Sequence, residues 1–149
     1  MSSGELQLFD DMSRFDQLKY LHIGKTAQDL ANLHFPQSAF NGKGDAFRHA
    51  LLHALETHYF NETFSKTMGD LHEVGSLSMM ETTMDLYNNS IGRQIAKNYV
   101  SANPYESFTQ QVMVIIQIAM DRGDLLYMTP LDNNNKEIIG VTELKATNQ

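Results

Sequence analysis

The chain contains no cysteine. Disulfides, thiolate nucleophiles and cysteine-based zinc sites are therefore excluded, and the sequence is indifferent to redox compartment. Although 42% of its residues are apolar, no run is long enough to cross a membrane. The opening Met1-Ser-Ser-Gly-Glu-Leu-Gln has neither the basic start nor the apolar stretch of a signal peptide. Export would then depend on a dedicated secretion system, or the chain would be cut from a longer protein. Basic residues are few: 11 Lys and Arg stand against 18 Asp and Glu, for a formal net charge of −7. A domain that tracks a phosphate backbone carries a basic surface, so nucleic acid is a disfavoured partner. A nuclease would need a local basic pocket. The nucleophile elbow Gly-x-Ser-x-Gly, the phosphate-binding Gly-rich loop with Lys-Ser/Thr and the dinucleotide fingerprint are all missing.

What is present is one domain's worth of chain, 149 residues, long enough to bury a single core. The pattern predicts a mainly α-helical bundle of about five or six helices with a short C-terminal β-hairpin. Residues 1–12 are polar and read as flexible. Helical spacing follows from Ser13 to His22 and from Thr26 to Leu33, with Gly24 as a possible interruption and Pro36 as a stop. Asn41-Gly-Lys-Gly breaks the chain before a helix that starts near Asp45 and runs to about Phe60. Asn61 or Thr63 suits the cap of the next helix, which ends near Gly75. Another runs from about Ser78 to Val100, where Gly92 suits close backbone approach. Pro104 suits the first turn of a last helix, apolar over a wide arc and therefore expected at the centre. Residues 124–141 read as the hairpin, with Leu125-Leu-Tyr-Met and Ile138-Ile-Gly-Val flanking Asp132-Asn-Asn-Asn.

Two stretches mix ionisable groups with apolar neighbours in helical sequence. In the first, Asp45, His49, His53 and Glu56 recur at steps of four, four and three, along one helix face, with Arg48 beside them. His49 and His53 have the spacing of zinc-binding helices, but no glutamate follows the first histidine, so the zinc-protease pattern is absent. The bland alternative is one buried and one exposed histidine. An acid one turn before a histidine can orient its ring or share a metal with it. Arg48 can clamp a phosphate or carboxylate. In the second stretch, His72-Glu73 offers an imidazole and a carboxylate for acid–base work or ligation. Its alternative is a helix-terminal histidine beside a solvated glutamate. Asp85, Asn89 and Arg93 form a polar stripe at steps of four with Asn88 adjacent, either part of a site or a network that only fixes helix packing. The methionines at 68, 80, 84, 113 and 120 read as core filling.

The order Gly44-Asp45-Ala-Phe-Arg48-His49-Ala, then His72-Glu73, then Met84-Asp85-Leu-Tyr-Asn88-Asn89-x-x-Gly92-Arg93 resembles an uncharacterised bacterial domain family. That family is similar to domains of wall-associated proteins and to the ends of polymorphic toxins and secretion-system effectors. The match spans roughly residues 40 to 95; at His53 the chain departs from it, where an aromatic or small residue is expected. The resemblance implies an antibacterial effector or toxin domain, a hydrolase acting on a cell-envelope substrate. A phosphate-linked lipid or lipid-linked wall precursor comes first, peptidoglycan glycan second. Alternatives are a non-catalytic binding or structural module, or a nuclease. It further implies a cognate immunity protein as partner and delivery into the periplasm of a target cell. In the expected mechanism His49 is the general acid or base, oriented by Asp45. Glu73 and Asp85 bind a divalent ion or activate water. Arg48 and Arg93 stabilise the developing anion. The expected metal set is Asp45, His49, His72, Glu73 and Asp85, supported by Asn88, Asn89 and His53. In the competing arrangement Arg48 and Arg93 neutralise the acids and leave no room for a cation.

Overall fold

The computed structural model describes the chain from Met1 to Gln149. Six helices run in the order α1 (Ser3–Asp10), α2 (Arg14–His34), α3 (Lys43–Tyr59), α4 (Glu62–His72), α5 (Met79–Asn98) and α6 (Phe108–Arg122). Strands β1 (Leu126–Thr129) and β2 (Glu143–Ala146) then pair antiparallel, Leu126 opposite Ala146 and Thr129 opposite Glu143. The fold is mainly α with a C-terminal hairpin, as the pattern predicts, and no helix is long and apolar enough to cross a membrane.

α3 is the central element; α2, α4, α5, α6 and β1 all pack against it. Its sequence explains why. Ala46, Ala50 and Ala54, four residues apart, form a small-residue edge that lets neighbours come close, while Phe47, Leu51 and Leu55 fill the core. A third edge carries Asp45, His49, His53 and Glu56, and these are buried as well. The wide apolar arc of α6 had suggested that helix for the centre. Instead α6 packs from one side through Val112, Ile116, Ala119 and Met120 and leaves Val114 and Ile118 exposed.

Several boundaries differ from expectation for identifiable reasons. Residues 1–12 are not flexible coil. Ser2 and Glu5 form a capping box that starts α1, and Glu5 is buried. Gly24 does not interrupt α2, because Ile23, Ala27 and Ala31 pack into the core on either side of it. Pro104 lies in a turn, and α6 starts four residues later, at Phe108, behind its own capping box, Ser107 with Gln110. The returning strand of the hairpin is Glu143–Ala146 rather than Ile138–Val141. Asp132 Oδ1 accepts from the N–H groups of Asn134 and Lys136 and coils the loop there. Gly140 takes a positive φ of 79°, and Ile139 and Val141 face solvent.

α5 crosses α3 at Gly92. A Cβ added there would overlap the carbonyl oxygen of Ala50 and lie 2.9 Å from its Cα. Both obstacles are backbone, so neither can swing away. Gly24, by contrast, has nothing within 4 Å of an added Cβ. The same substitution should therefore act in opposite directions. Gly92→Ala should lower stability by about 3 kcal/mol through overpacking. Gly24→Ala should raise it by about 0.7 kcal/mol by restricting the unfolded chain. Urea unfolding of the two variants beside the unchanged chain measures both.

Candidate metal centre

The centre is built where the start of α3 meets the middle of α5. Asp45 lies in the first turn of α3. Its Oδ2 accepts the backbone N–H of Asn41 at 2.9 Å, which is offered by the left-handed conformation of Asn41 (φ 59°). Its Oδ1 accepts from Arg48 Nε at 3.1 Å and Nη2 at 2.6 Å. One turn on, His49 places Nδ1 2.8 Å from the side-chain oxygen of Asn89. That oxygen can only accept, so Nδ1 carries the hydrogen and Nε2 presents its lone pair. Nε2 lies 3.2 Å from Asp85 Oδ1 and 3.6 Å from Asp45 Oδ1, with Arg48 Nη2 3.1 Å away.

Burial holds His49 neutral, pushing its pKa down to about 4; the charge of Asp45 opposes the shift and that of Arg48 adds to it. Asp85 is pushed up to about 9, by burial first and then by the charges of Asp45 and Glu73. Its side chain is 13% exposed, and Oδ1 is buried without a hydrogen-bond partner. Glu73 is raised too, chiefly by burial, with Asp45 and Glu81 contributing. Four acids therefore lie within electrostatic reach of one another, and Arg48, already committed to Asp45, is the cation beside them. The orphaned oxygen of Asp85 can be satisfied by a proton or by a bound cation. Asp45, His49 and Asp85 offer one nitrogen and two oxygens, all within 4.8 Å of one another. Metal–ligand distances of 2.0–2.1 Å in a tetrahedral site set neighbouring ligand atoms about 3.3 Å apart. The two separations from His49 Nε2, 3.2 and 3.6 Å, are close to this, and the group could hold a metal ion.

A family model described as a domain of unknown function, DUF6973, matches residues 12–122. The chain belongs to this family. No curated protein and no solved structure matches the chain. The span shared with DUF6973 runs from the start of α2 to the end of α6 and contains all three residues of the centre; α1 and the hairpin lie outside it.

Within the DUF6973 domain the other expected site residues distribute unevenly. Glu73 is half-buried beyond the end of α4, with Oε1 lacking a partner, and it stands outside the three-residue group. His72, expected among the ligands, lies outside the three-residue group. Its side chain is 55% exposed and Nδ1 meets Glu5 Oε1 at 3.0 Å, because α1 supplies a partner that the sequence reading had treated as flexible. Arg93 lies two turns beyond Asp85 on α5, and its charge falls on His53 and Glu56 rather than on the centre. The competing arrangement with two arginines at the acids is therefore reduced to Arg48 alone. Asn88 turns away from the centre: its amide donates to Leu126 O and accepts from Leu126 N, both at 2.9 Å, and so ties α5 to β1. Asn89, rather than Asp45, orients the His49 ring, since Asp45 lies on the Nε2 side.

His53 belongs to a second buried cluster. Its Nδ1 is 2.8 Å from Ser65 Oγ and 3.2 Å from Glu56 Oε2, an oxygen with no hydrogen-bond partner. Burial pushes His53 well below its usual range and Glu56 up to about 8. Gly69 of α4 makes room for this cluster: a Cβ there would lie 2.7 Å from His53 Cε1 and 3.0 Å from Asn89 Nδ2. Four residues outside the expected site contribute. Glu56 stood in the periodic row but was left out of the site. Asn41 was read as a breaker, yet it also donates from its amide to Glu81 Oε1 and Asn135 O. Glu81 and Ser65 look like ordinary helix residues, and nothing local marks them.

Glu56 gives a prediction with a definite sign. A carboxyl that stays protonated in the folded state takes up protons on folding between the ordinary carboxylate range, about pH 4.5, and its raised value. Its share of stability is thus lost as pH rises through that window toward about 8. Glu56→Gln keeps the neutral shape and removes the ionisation. Its melting temperature, relative to the unchanged chain, should rise progressively from pH 5 to pH 9. A constant difference across that range would show that Glu56 is ionised in the folded state.

Proposed function

We propose that this DUF6973 domain is a metal-assisted hydrolase centred on Asp45, His49 and Asp85. The observation that carries this reading is the pairing of a neutral, buried imidazole with two carboxylates, one of which has an unpartnered buried oxygen. Desolvating Asp85 is unfavourable unless something compensates for it, and functional sites are where such arrangements concentrate. A divalent ion in that group supplies Lewis acidity. Asn89 holds the His49 tautomer that turns Nε2 toward the acids. Glu73, half-buried and raised, suits the exchange of a proton with water or a leaving group. Arg48, with a side chain 23% exposed, is placed to neutralise an anionic group arriving at the mouth.

Arg48 and the resemblance to effector domains together favour a phosphate-linked lipid or lipid-linked wall precursor as substrate. The resemblance alone suggests a cognate immunity protein as partner and the periplasm of a target cell as the place of action. Peptidoglycan glycan, whose neutral linkages give Arg48 less to do, ranks second. The principal rival is a structural network in which protonated Asp85 donates to His49 Nε2 and no ion enters. The 3.2 Å separation and the raised Asp85 suit it equally.

Two measurements separate these readings. After dialysis against chelator, titration calorimetry with Mn²⁺ or Zn²⁺ should give one site per chain, weakened at least tenfold by Asp85→Asn. A saturating ion at about a hundred times its dissociation constant should stabilise the fold by about 2.7 kcal/mol. No heat, no metal by elemental analysis and no change in melting temperature would decide for the protonated network. Expression directed to the periplasm of a susceptible bacterium should be toxic, and folded His49→Ala should not be. Mass spectrometry of the lipid fraction should then reveal cleaved wall precursor; equal toxicity of the two chains would remove His49 from the chemistry.

A further inference from the structure

α1 is anchored in an unusual way. Its one buried residue is Glu5, a carboxylate, while Leu6 and the preceding Met1 are half or more exposed. A helix held by burial normally turns an apolar stripe inward. α1 instead sits on α4 through Gly4 against Leu71 and through the contact of Glu5 Oε1 with His72 Nδ1, at 3.0 Å. Its far end is held by a contact of Phe9 with Tyr20, ring centroids 5.9 Å apart, and by Gln17 Nε2 donating to Phe9 O at 2.9 Å. Beneath α1 lies a cavity of about 170 Å³ whose walls include Glu5, Arg48, His49, His53, Glu56 and His72. Such a lining suits ordered water. Met1 and Glu5 form one wall, and the ionisable edge of α3 forms the opposite one. The helix that forms this wall of the cavity precedes the family span, and only the short link Asp11–Ser13 joins it to α2.

We propose that α1 is a lid on this cavity, latched by Glu5 on His72, and that its release opens His49 and His53 to solvent. The latch is a hydrogen-bonded contact between the buried Glu5 carboxyl group and the half-exposed His72 imidazole. It opposes opening without the large apolar area that would make opening equivalent to unfolding. The inference concerns access and stands without the hydrolase reading.

The absence of cysteine makes the test clean. Met68, 2% exposed, lines the cavity, and Val112, fully buried, lies in the core between α6 and α3. Each is replaced by cysteine in the full chain, and the labelling rate with a methanethiosulfonate reagent is followed in chelator, so that no ion or substrate is involved. Met68→Cys should react by local opening and faster than Val112→Cys, which needs global unfolding. Adding His72→Ala should speed labelling of Met68→Cys about tenfold, the loss expected for a hydrogen bond to a charged group, and leave Val112→Cys unchanged. Should Met68→Cys not fold, hydrogen exchange of the α1 amides in the otherwise unchanged chain, with and without His72→Ala, reads the same opening. Equal rates at the two positions, or no response to His72→Ala, would overturn the lid.

Discussion

The hydrogen bond from His49 Nδ1 to Asn89 governs the arrangement of the centre. It fixes the tautomer, so the second ring nitrogen must present a lone pair toward Asp85 and Asp45. It also demands that α3 and α5 run close together. That closeness exists because Gly92 lets the backbone of α5 reach Ala50, and because Gly69 keeps α4 from displacing the Asn89 amide. Three helices thus meet around one imidazole, and small residues at the crossings make the meeting possible. The polar groups are buried as a consequence of this packing, which is why their protonation departs so far from that of free side chains.

α3 carries two buried clusters of different character. Around Asp45 and His49 the surroundings are acidic: burial, then the charges of Asp45, Glu73 and Glu81, raise Asp85, and one guanidinium opposes them. Around His53 and Glu56 the neighbours are Ser65, Gly69 and the distant charge of Arg93, and the carboxyl is best accommodated neutral. The first cluster is suited to a cation and the second to a proton. A helix that changes from one to the other within a few turns does so because different helices cover it, α5 at one end and α4 at the other.

Much of this was legible in the chain. The steps of four, four and three from Asp45 to Glu56 announced a polar helix edge, and Gly92 among polar residues announced a close crossing. Both depend on local periodicity, which sequence records directly. The misjudged features depend on pairing across the fold. His72 looked like a ligand because its partner, Glu5, lies 67 residues away in a stretch whose capping box was overlooked. Arg93 shares a stripe with Asp85, but two helical turns separate their side chains, enough to send each to a different cluster. Asn88 and Asn89 are neighbours in sequence and point to different elements, because adjacent helix positions diverge by about 100°. The hairpin was placed early because Ile138, Ile139 and Val141 have strand composition, whereas Asp132 and Gly140 decide the backbone there.

The amide of Asn88, paired at both ends with Leu126, bears on where the folding unit stops. Met128 donates its N–H to Asn41 O, and Asn135 O receives the Asn41 amide. Asn41 in turn offers the N–H that Asp45 accepts. A fragment trimmed to residues 12–122 would keep every member of the centre and lose the struts that hold two of its helices in place. The buried amide of Asn88 would be left without either partner, and the turn at Asn41 would be free to relax. The span by which relatives are recognised is therefore shorter than the span that must be made for the centre to keep its shape.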